Sequence, residues 1–462
     1  MTRKYIALPF LLTCLLLAGC ATPQLYRTTF TPTCEAAKGE LEVTCAASAL
    51  QREIPQGEGD ASYWLSFIEF DDQGQLFDRA QMHAVTDELN QLAGRDDLLM
   101  VVFVHGWKHS AAPGDGNIRT FRETLRRLSL LESNLARIES RKPRQVAGIY
   151  LAWRGASLTL PWIENLSFWE RKNTAHKVGH GGMTEVLNRL EQTRNTRNQM
   201  AAGEASRAET RLVVVGHSFG GAAVFSSLSQ ILMNRFVDTQ GPVGVDSDVT
   251  GFGDLVVLIN PAFEAARFTP LSDMANERPS YFESQLPVLA ILTSEADWAT
   301  RYAFPVGRTF SSLFEYTHDT ERTNPVTREA VHIDQSKANT LAVGHYPPYR
   351  THRLSAKSDP EAALAVPSVS NTLRQFRIVS EGWDNDHPGS RIDFDSTELK
   401  RSADSVGKNP YLVIQVDEDL IRDHNDIDDP RIMAFVRQLI LLSSQHANPI
   451  ERRHLRGLLP AE

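Results

Sequence analysis

Ser218 lies between two glycines at the end of an apolar run, and this placement makes it the first candidate for chemistry. Residues 212–215 predict a strand, and the small residues after Gly220 predict the start of a helix. A Gly-x-Ser-x-Gly motif between a strand and a helix holds its serine on a sharp, exposed turn. Side chains at the glycine positions would collide across that turn. We therefore expect Ser218 to be a nucleophile.

A serine hydroxyl needs a base within hydrogen-bond reach, and the base needs an acid to orient it. In a parallel sheet such groups belong on the loops that follow the carboxyl ends of strands. His424 follows the strand predicted over 411–416 and is the candidate base. His352 is the alternate base and His345 ranks below it, since both lie in a long insertion. His217 lies within the turn and cannot easily reach back to Ser218.

Asp297 is the candidate acid, because it follows the strand predicted over 286–292. Glu295 is its neighbouring alternative, and Glu264, one strand earlier, is the third. Capping a helix is the competing role for Asp297.

Acyl transfer places negative charge on a carbonyl oxygen, which backbone amides can stabilise. Phe219 offers one amide at the start of a helix. The loop His105-Gly106-Trp107, which follows the strand predicted over 98–104, offers the Trp107 amide. We expect these two amides to form an oxyanion hole.

Strand and helix patterns alternate along most of the chain, which predicts an α/β fold with a mostly parallel, doubly wound sheet and helices on both faces. Residues 62–74 are expected to form a hairpin that enters the sheet. Further strands are predicted over 98–104, 146–153, 212–215, 255–259, 286–292 and 411–416, and helices over 118–140, 219–235 and 431–442.

The order Ser218, Asp297, His424, together with the His-Gly loop, resembles the α/β-hydrolase family. The resemblance covers about residues 95–300 and 405–445, and it is strongest with serine esterases and lipases of the bacterial lipoprotein type. It implies a serine hydrolase that cleaves carboxylic esters through an acyl-enzyme. The long segment between acid and histidine departs from the family pattern.

The expected organisation is a signal peptide over 1–19, a tether over 20–60, a hydrolase domain over 61–445 and a tail over 446–462. Within the domain, 156–209 would form a cap and 305–408 an insertion or lid before the last strand.

Met1-Thr2-Arg3-Lys4 and the apolar run after it are typical of a secretory signal. Residues 17–20 resemble the bacterial lipobox, which makes Cys20 the lipidated first residue, and Ala21 favours sorting to the outer membrane, facing the periplasm. Cys34 and Cys45 are then the candidates for a disulfide.

The net charge of −9 argues against nucleic-acid binding. The histidine spacings contain no His-Glu-x-x-His pattern, so neither a metal nor a cofactor is expected. The expected partners are a small-molecule or lipid ester and, through the lipid anchor, a membrane. Two alternatives stay open: a non-catalytic envelope lipoprotein that serves as a binding scaffold, and a thioesterase or amidase with the same triad.

Overall fold

A twelve-stranded sheet forms the centre of the protein in the computed structural model, which describes residues 24–57, 61–154, 168–202, 208–239, 246–311, 315–365 and 368–443. The predicted signal peptide, Cys20 and the tail over 446–462 lie outside the described residues. Fourteen strands are described: β1 Cys34–Ala36, β2 Leu50–Glu53, β3 Tyr63–Phe70, β4 Leu98–Val104, β5 Gln145–Trp153, β6 Arg211–His217, β7 Leu255–Ile259, β8 Leu289–Ser294, β9 Thr320–Thr323, β10 Ala330–Ile333, β11 His352–Ala356, β12 Arg391–Asp393, β13 Thr397–Arg401 and β14 Tyr411–Val416.

The strand order is β1-β2-β3-β5-β4-β6-β7-β8-β14-β11-β13-β12, and β9 pairs only with β10 in a separate hairpin. The run from β3 to β11 is parallel throughout. The antiparallel pairs within this sheet are β2 with β3, β11 with β13 and β12 with β13, and the separate β9–β10 hairpin is antiparallel as well. The sheet is therefore mostly parallel, as the alternation of strands and helices predicts.

Helices cover both faces of this sheet. The described helices are α1 Leu41–Thr44, α2 Arg79–Ala93, α3 Gly116–Ile138, α4 Phe168–His180, α5 Gly182–Met200, α6 Phe219–Asp238, α7 Ala265–Glu277, α8 Phe304–Ser311, α9 Gln335–Thr340, α10 Val369–Asp384 and α11 Pro430–Ser443. One apolar core lies between the sheet and α2, α4, α5, α6 and α7. A second lies beneath α3, α10 and α11, and a small third cluster joins α3 to α11 through Leu131, Leu135 and Leu441. The strands between these cores are continuous apolar runs because both of their faces are buried.

The tether expected over 20–60 is wrong for the residues described. β2 joins the sheet beside β3, and Cys34 and Cys45 are joined in a disulfide. Buried polar groups hold this segment: Gln51 accepts a hydrogen bond from Arg122, and Glu53 accepts one from the Tyr63 hydroxyl. Polar residues that are buried through partners distant in sequence leave no apolar periodicity to detect.

The cap expected over 156–209 is also wrong for the residues described, because α5 packs against the sheet. Its buried side chains Met183, Val186, Leu187 and Leu190 have the spacing of a helix face and belong to the core. The many polar residues on the other face obscured this pattern.

The lid expected over 305–408 is wrong for its second half, because β11, β12 and β13 extend the sheet and α10 packs against α3. The hairpin expected over 62–74 is reduced to β3 and a single bridge between Phe70 and Leu76. The next segment forms α2 instead of a second strand.

Parallel register brings several loops to one edge of the sheet. His217 pairs with Ile259, Ile259 with Leu292, and Ser294 with Val416. The segments that follow β6, β7, β8 and β14 therefore all begin at the same edge.

Candidate active site

Ser218 occupies a strained turn between β6 and α6. Its backbone has φ 55° and ψ −121°, a conformation that L-residues rarely adopt. A Cβ at Gly216 would lie 2.8 Å from the Cα of Gly221, and one at Gly220 would overlap the carbonyl oxygen of Val104. The two glycines are thus required by close backbone packing, and the turn presents the Ser218 side chain at the carboxyl edge.

His424 and Asp297 lie in line with Ser218. The Ser218 hydroxyl is 2.6 Å from Nε2 of His424, and Nδ1 of His424 is 2.9 Å from Oδ1 of Asp297. Ser218 is 1% exposed, His424 7% and Asp297 0%. Since the carboxylate can only accept, Nδ1 of His424 carries the proton and Nε2 is free to accept the proton of Ser218. The sequence-predicted nucleophile, base and acid are brought together.

Asp297 is held as an anion in a buried position. Burial alone would raise its pKa, but the His424 ring and hydrogen bonds from His424 and Thr300 lower the pKa below its ordinary value. The Thr300 amide donates to Oδ1 at 3.1 Å, and the Thr300 hydroxyl donates to Oδ2. Asp297 therefore orients the imidazole as a charged group and does not serve only as a helix cap.

His345 completes this network behind Thr300. Its Nε2 lies 2.9 Å from the Thr300 hydroxyl oxygen, which already donates its proton to Asp297 and so accepts from His345. Burial lowers the pKa of His345 to about 4, so it is neutral near pH 7. A Cβ at Gly344 would overlap the Thr293 hydroxyl, which shows how closely this segment packs on β8. His345 is thus a support for Asp297 and does not contact Ser218.

Two side chains fix the backbone that carries His424. Nε2 of His217 donates to the carbonyl of His424 at 2.9 Å, and Nδ2 of Asn260 donates to the same oxygen at 3.2 Å. Burial and the His424 ring lower the pKa of His217 to about 3, which keeps it neutral. Oδ1 of Asn260 accepts from the Ser294 amide at 3.0 Å. Asn260 was not predicted; its φ of 44° is visible only in the structure.

The loop with Gly106 lies directly against Ser218. A Cβ at Gly106 would be 2.8 Å from the Cβ of Ser218, so only glycine allows this approach. The Trp153 amide donates to Nε2 of His105 at 3.1 Å, and Nδ1 of His105 donates to the Gly106 carbonyl at 2.8 Å. The His105 ring also stacks on Trp153. These contacts fix the backbone that leads to Trp107, beside the Ser218 turn from which Phe219 begins α6.

The remaining candidates lie elsewhere. His352, the alternate base, is buried at the start of β11 and bonds to the Thr351 hydroxyl at 2.8 Å. Glu295 pairs with Arg353. Glu264 is buried in an ion-pair cluster with Lys172, Arg267 and Arg308. All three have other partners than the Ser218–His424 pair.

Within the described ranges there is no group of three or more His, Cys, Asp or Glu side chains arranged to hold a metal ion. In the same part of the chain no helix combines the length and apolar character needed to cross a membrane.

Neither a protein-family model nor a curated protein matches this sequence. Among solved structures, a cutinase of Trichoderma reesei in complex with a phosphonate inhibitor is similar to part of it. The match has 14% identity and a TM-score of 0.15, and it covers 40% of this chain and 67% of that chain. A likeness of this extent adds nothing to the geometry of the site.

Proposed function

We propose that the protein has an α/β-hydrolase fold and is a serine hydrolase that cleaves carboxylic esters. The observation that carries the proposal is the 2.6 Å contact between the Ser218 hydroxyl and Nε2 of His424, with Asp297 on the other side of the imidazole. A serine so placed can lose its proton to the base as it attacks. The strained turn supports the same conclusion, because backbone strain concentrates at functional sites.

In the proposed reaction, Oγ of Ser218 forms a bond to the ester carbonyl carbon while its proton passes to Nε2 of His424. Asp297 stabilises the imidazolium that results. The tetrahedral intermediate then releases the alcohol, whose oxygen takes the proton from His424, and leaves an acyl group on Ser218. Water attacks this acyl-enzyme, again giving its proton to His424, and the acid departs as Ser218 is reprotonated.

The negative oxygen of each intermediate is assigned to the backbone amides of Trp107 and Phe219. Support comes from the close packing of Gly106 on Ser218 and from the place of Phe219 at the first turn of α6. A helix N-terminus adds a favourable dipole for the developing charge. One such donor contributes about 3–4 kcal/mol to the transition state.

A fluorophosphonate probe and p-nitrophenyl esters test the assignment. Ser218→Ala should abolish labelling and reduce kcat by several orders of magnitude, on the order of a million-fold if its behaviour follows other serine hydrolases. Ser336→Ala, at an exposed serine of α9, is the matched control and should label normally. Normal turnover by Ser218→Ala would refute the proposal, and absence of labelling in the folded wild-type protein would favour the binding-scaffold alternative.

The assignment of the base has its own test. His424→Ala should lose labelling and turnover, whereas His352→Ala should keep both, because His352 bonds to Thr351. The reverse result would move the base to His352. Parallel assays with thioester and amide substrates decide which acyl bond is preferred.

We further propose that the chain is exported and lipid-anchored at Cys20, at the outer membrane. The Cys34–Cys45 disulfide supports export, since such bonds persist in oxidising compartments. Incorporation of labelled palmitate into the wild-type chain, and its loss in Cys20→Ser, are the expected results. Equal incorporation by both chains would overturn the anchor.

A further inference from the structure

A cavity separate from the Ser218 site lies among α3, α10 and α11. Its volume, counted as the space open to the centres of water molecules, is about 110 Å³. This volume holds roughly seven to ten waters, or a similar number of ligand atoms. Apolar side chains form much of its wall: Leu131, Phe376, Val379 and Leu441. Its lining includes no residue of the Ser218 site, so a ligand bound in this cavity would not occupy that site.

Arg437 borders this cavity and is 6% exposed. No hydrogen bond joins its guanidinium to a residue in the described ranges, and its nitrogen atoms are not fully enclosed by protein. Burial and the neighbouring charge of Arg127 lower the pKa of Arg437 to about 9, so it remains a cation at neutral pH. Among the described residues, this positive charge thus lacks a hydrogen-bonded counter-ion.

The nearby charges do not supply that counter-ion. Glu123 is the acid whose charge acts on Arg437, where it raises the pKa, but its carboxylate is hydrogen-bonded to Arg126 and Arg127. Arg127 also directs its guanidinium at backbone carbonyls, including that of Leu364. Asp395 borders the cavity too, but it faces Arg374 at 4.0 Å.

Two further polar groups are unsatisfied at the same place. The side-chain oxygens of Gln375 and Gln438 are buried, and no donor in the described part of the chain reaches them. They are acceptors, so a carboxylate bound to Arg437 would not pair with them. A largely buried charge without a counter-ion destabilises the fold. An anionic group placed on Arg437 would remove that destabilisation, and an apolar body would fit the walls.

We propose that this cavity binds an amphipathic carboxylate, of the class of medium-chain fatty acids. The carboxylate accepts hydrogen bonds from Arg437, and the alkyl chain lies against Leu131, Phe376 and Val379. Octanoate, with about ten non-hydrogen atoms, matches the available space. The binding is independent of the chemistry at Ser218.

The probe is octanoate itself, titrated into the full chain and followed by calorimetry and by the thermal midpoint. Octanoate should bind and raise the midpoint, while octanol, which lacks the charge, should bind at least about tenfold more weakly, since a charge-assisted hydrogen bond contributes more than one decade of affinity. Equal effects of the two compounds, or no binding of octanoate, would overturn the proposal.

Variants locate the site. Arg437→Met should weaken octanoate binding at least about tenfold and leave the unliganded protein equally or more stable, because it removes an uncompensated buried charge. Arg391→Met, at an exposed arginine paired with Glu398, is the control and should bind normally. Ala434→Phe, which fills the cavity without touching the charge, should also block binding.

Unchanged octanoate binding in Arg437→Met would place the ligand elsewhere and refute the proposal. Strong destabilisation of the unliganded Arg437→Met protein would refute it as well, because the charge would then have a partner already. Binding by Ala434→Phe at wild-type affinity would exclude this cavity.

Discussion

Replacing Thr300 with valine tests the network behind the proposed acid. Valine keeps the shape of threonine but removes the hydroxyl that donates to Oδ2 of Asp297 and accepts from His345. The Thr300 amide, which donates to Oδ1, remains. The change therefore removes one hydrogen bond to a buried carboxylate and leaves one imidazole N–H without its acceptor.

The expected magnitude follows from these contacts. A hydrogen bond to a charged group contributes about 1.5–3 kcal/mol, and each 1.4 kcal/mol corresponds to about a factor of ten. We expect kcat/KM for a p-nitrophenyl ester to fall at least about tenfold. Loss of this hydrogen bond should also raise the pKa of Asp297 relative to the wild-type protein, so the acid limb of the pH profile should move to higher pH.

Stability should change with pH in a defined direction. The pKa of Asp297 is lowered in the folded protein, so its ionisation stabilises the fold above the unfolded pKa, and this contribution is lost as the pH falls through the folded value. Thr300→Val reduces that contribution, so its effect on the free energy of unfolding should be largest near neutral pH and should shrink in acid.

Thr300→Ser is the matched control because it keeps the hydroxyl. It should retain most of kcat/KM and the wild-type acid limb. If Thr300→Val and Thr300→Ser behave alike in rate and in pH profile, the hydroxyl does not support Asp297 and the reasoning fails. A loss of kcat without any shift of the acid limb would point to packing alone.

Three other changes have defined outcomes. Gly220→Ala should destabilise the protein by about 1–3 kcal/mol and suppress labelling, because the new Cβ overlaps backbone atoms across the turn. Gly94→Ala is the control: its Cβ meets only ordinary contacts, so neither stability nor labelling should change. Glu264→Gln should lower the free energy of unfolding by about 3–5 kcal/mol at pH 7, because it leaves Lys172 buried without its main partner. The pKa of Glu264 is lowered to about 2, so this loss of stability should shrink as the pH approaches that value. Cys45→Ser opens a loop with a sequence separation of 11 and should cost about 2–3 kcal/mol while the labelling rate is unchanged.

Chemical denaturation at several pH values and fluorophosphonate labelling measure all three. Wild-type stability of Gly220→Ala would contradict the packing of the turn, and a pH-independent loss in Glu264→Gln would contradict the ionised pair. Slower labelling in Cys45→Ser would show that the N-terminal strands support the site.

Local patterns were enough to predict the central strands and the glycine-flanked turn at Ser218. Residues 98–104, 255–259 and 411–416 were predicted with the observed bounds, because strands buried on both faces are continuous apolar runs. The turn at Ser218 was predictable because its glycines are adjacent in sequence. The N-terminal strands were missed because Gln51 and Glu53 are polar side chains. They are buried through hydrogen bonds with Arg122 and Tyr63, which lie on other elements of the fold.

The amino-acid sequence by itself determined the parallel core, the strained serine turn and the set of candidate acids and bases. Only the tertiary structure shows which of them lie together. β8 and β14 are neighbours in the sheet although more than a hundred residues separate them, and this pairing brings Asp297 to His424. The supports from Asn260, Thr300 and His345, and the buried charge of Arg437, depend likewise on contacts between distant elements. Such contacts cannot be predicted from local sequence patterns. Hydrogen bonding and burial depend on distances in space, whereas the spacing of residues in the sequence gives only their separation along the chain.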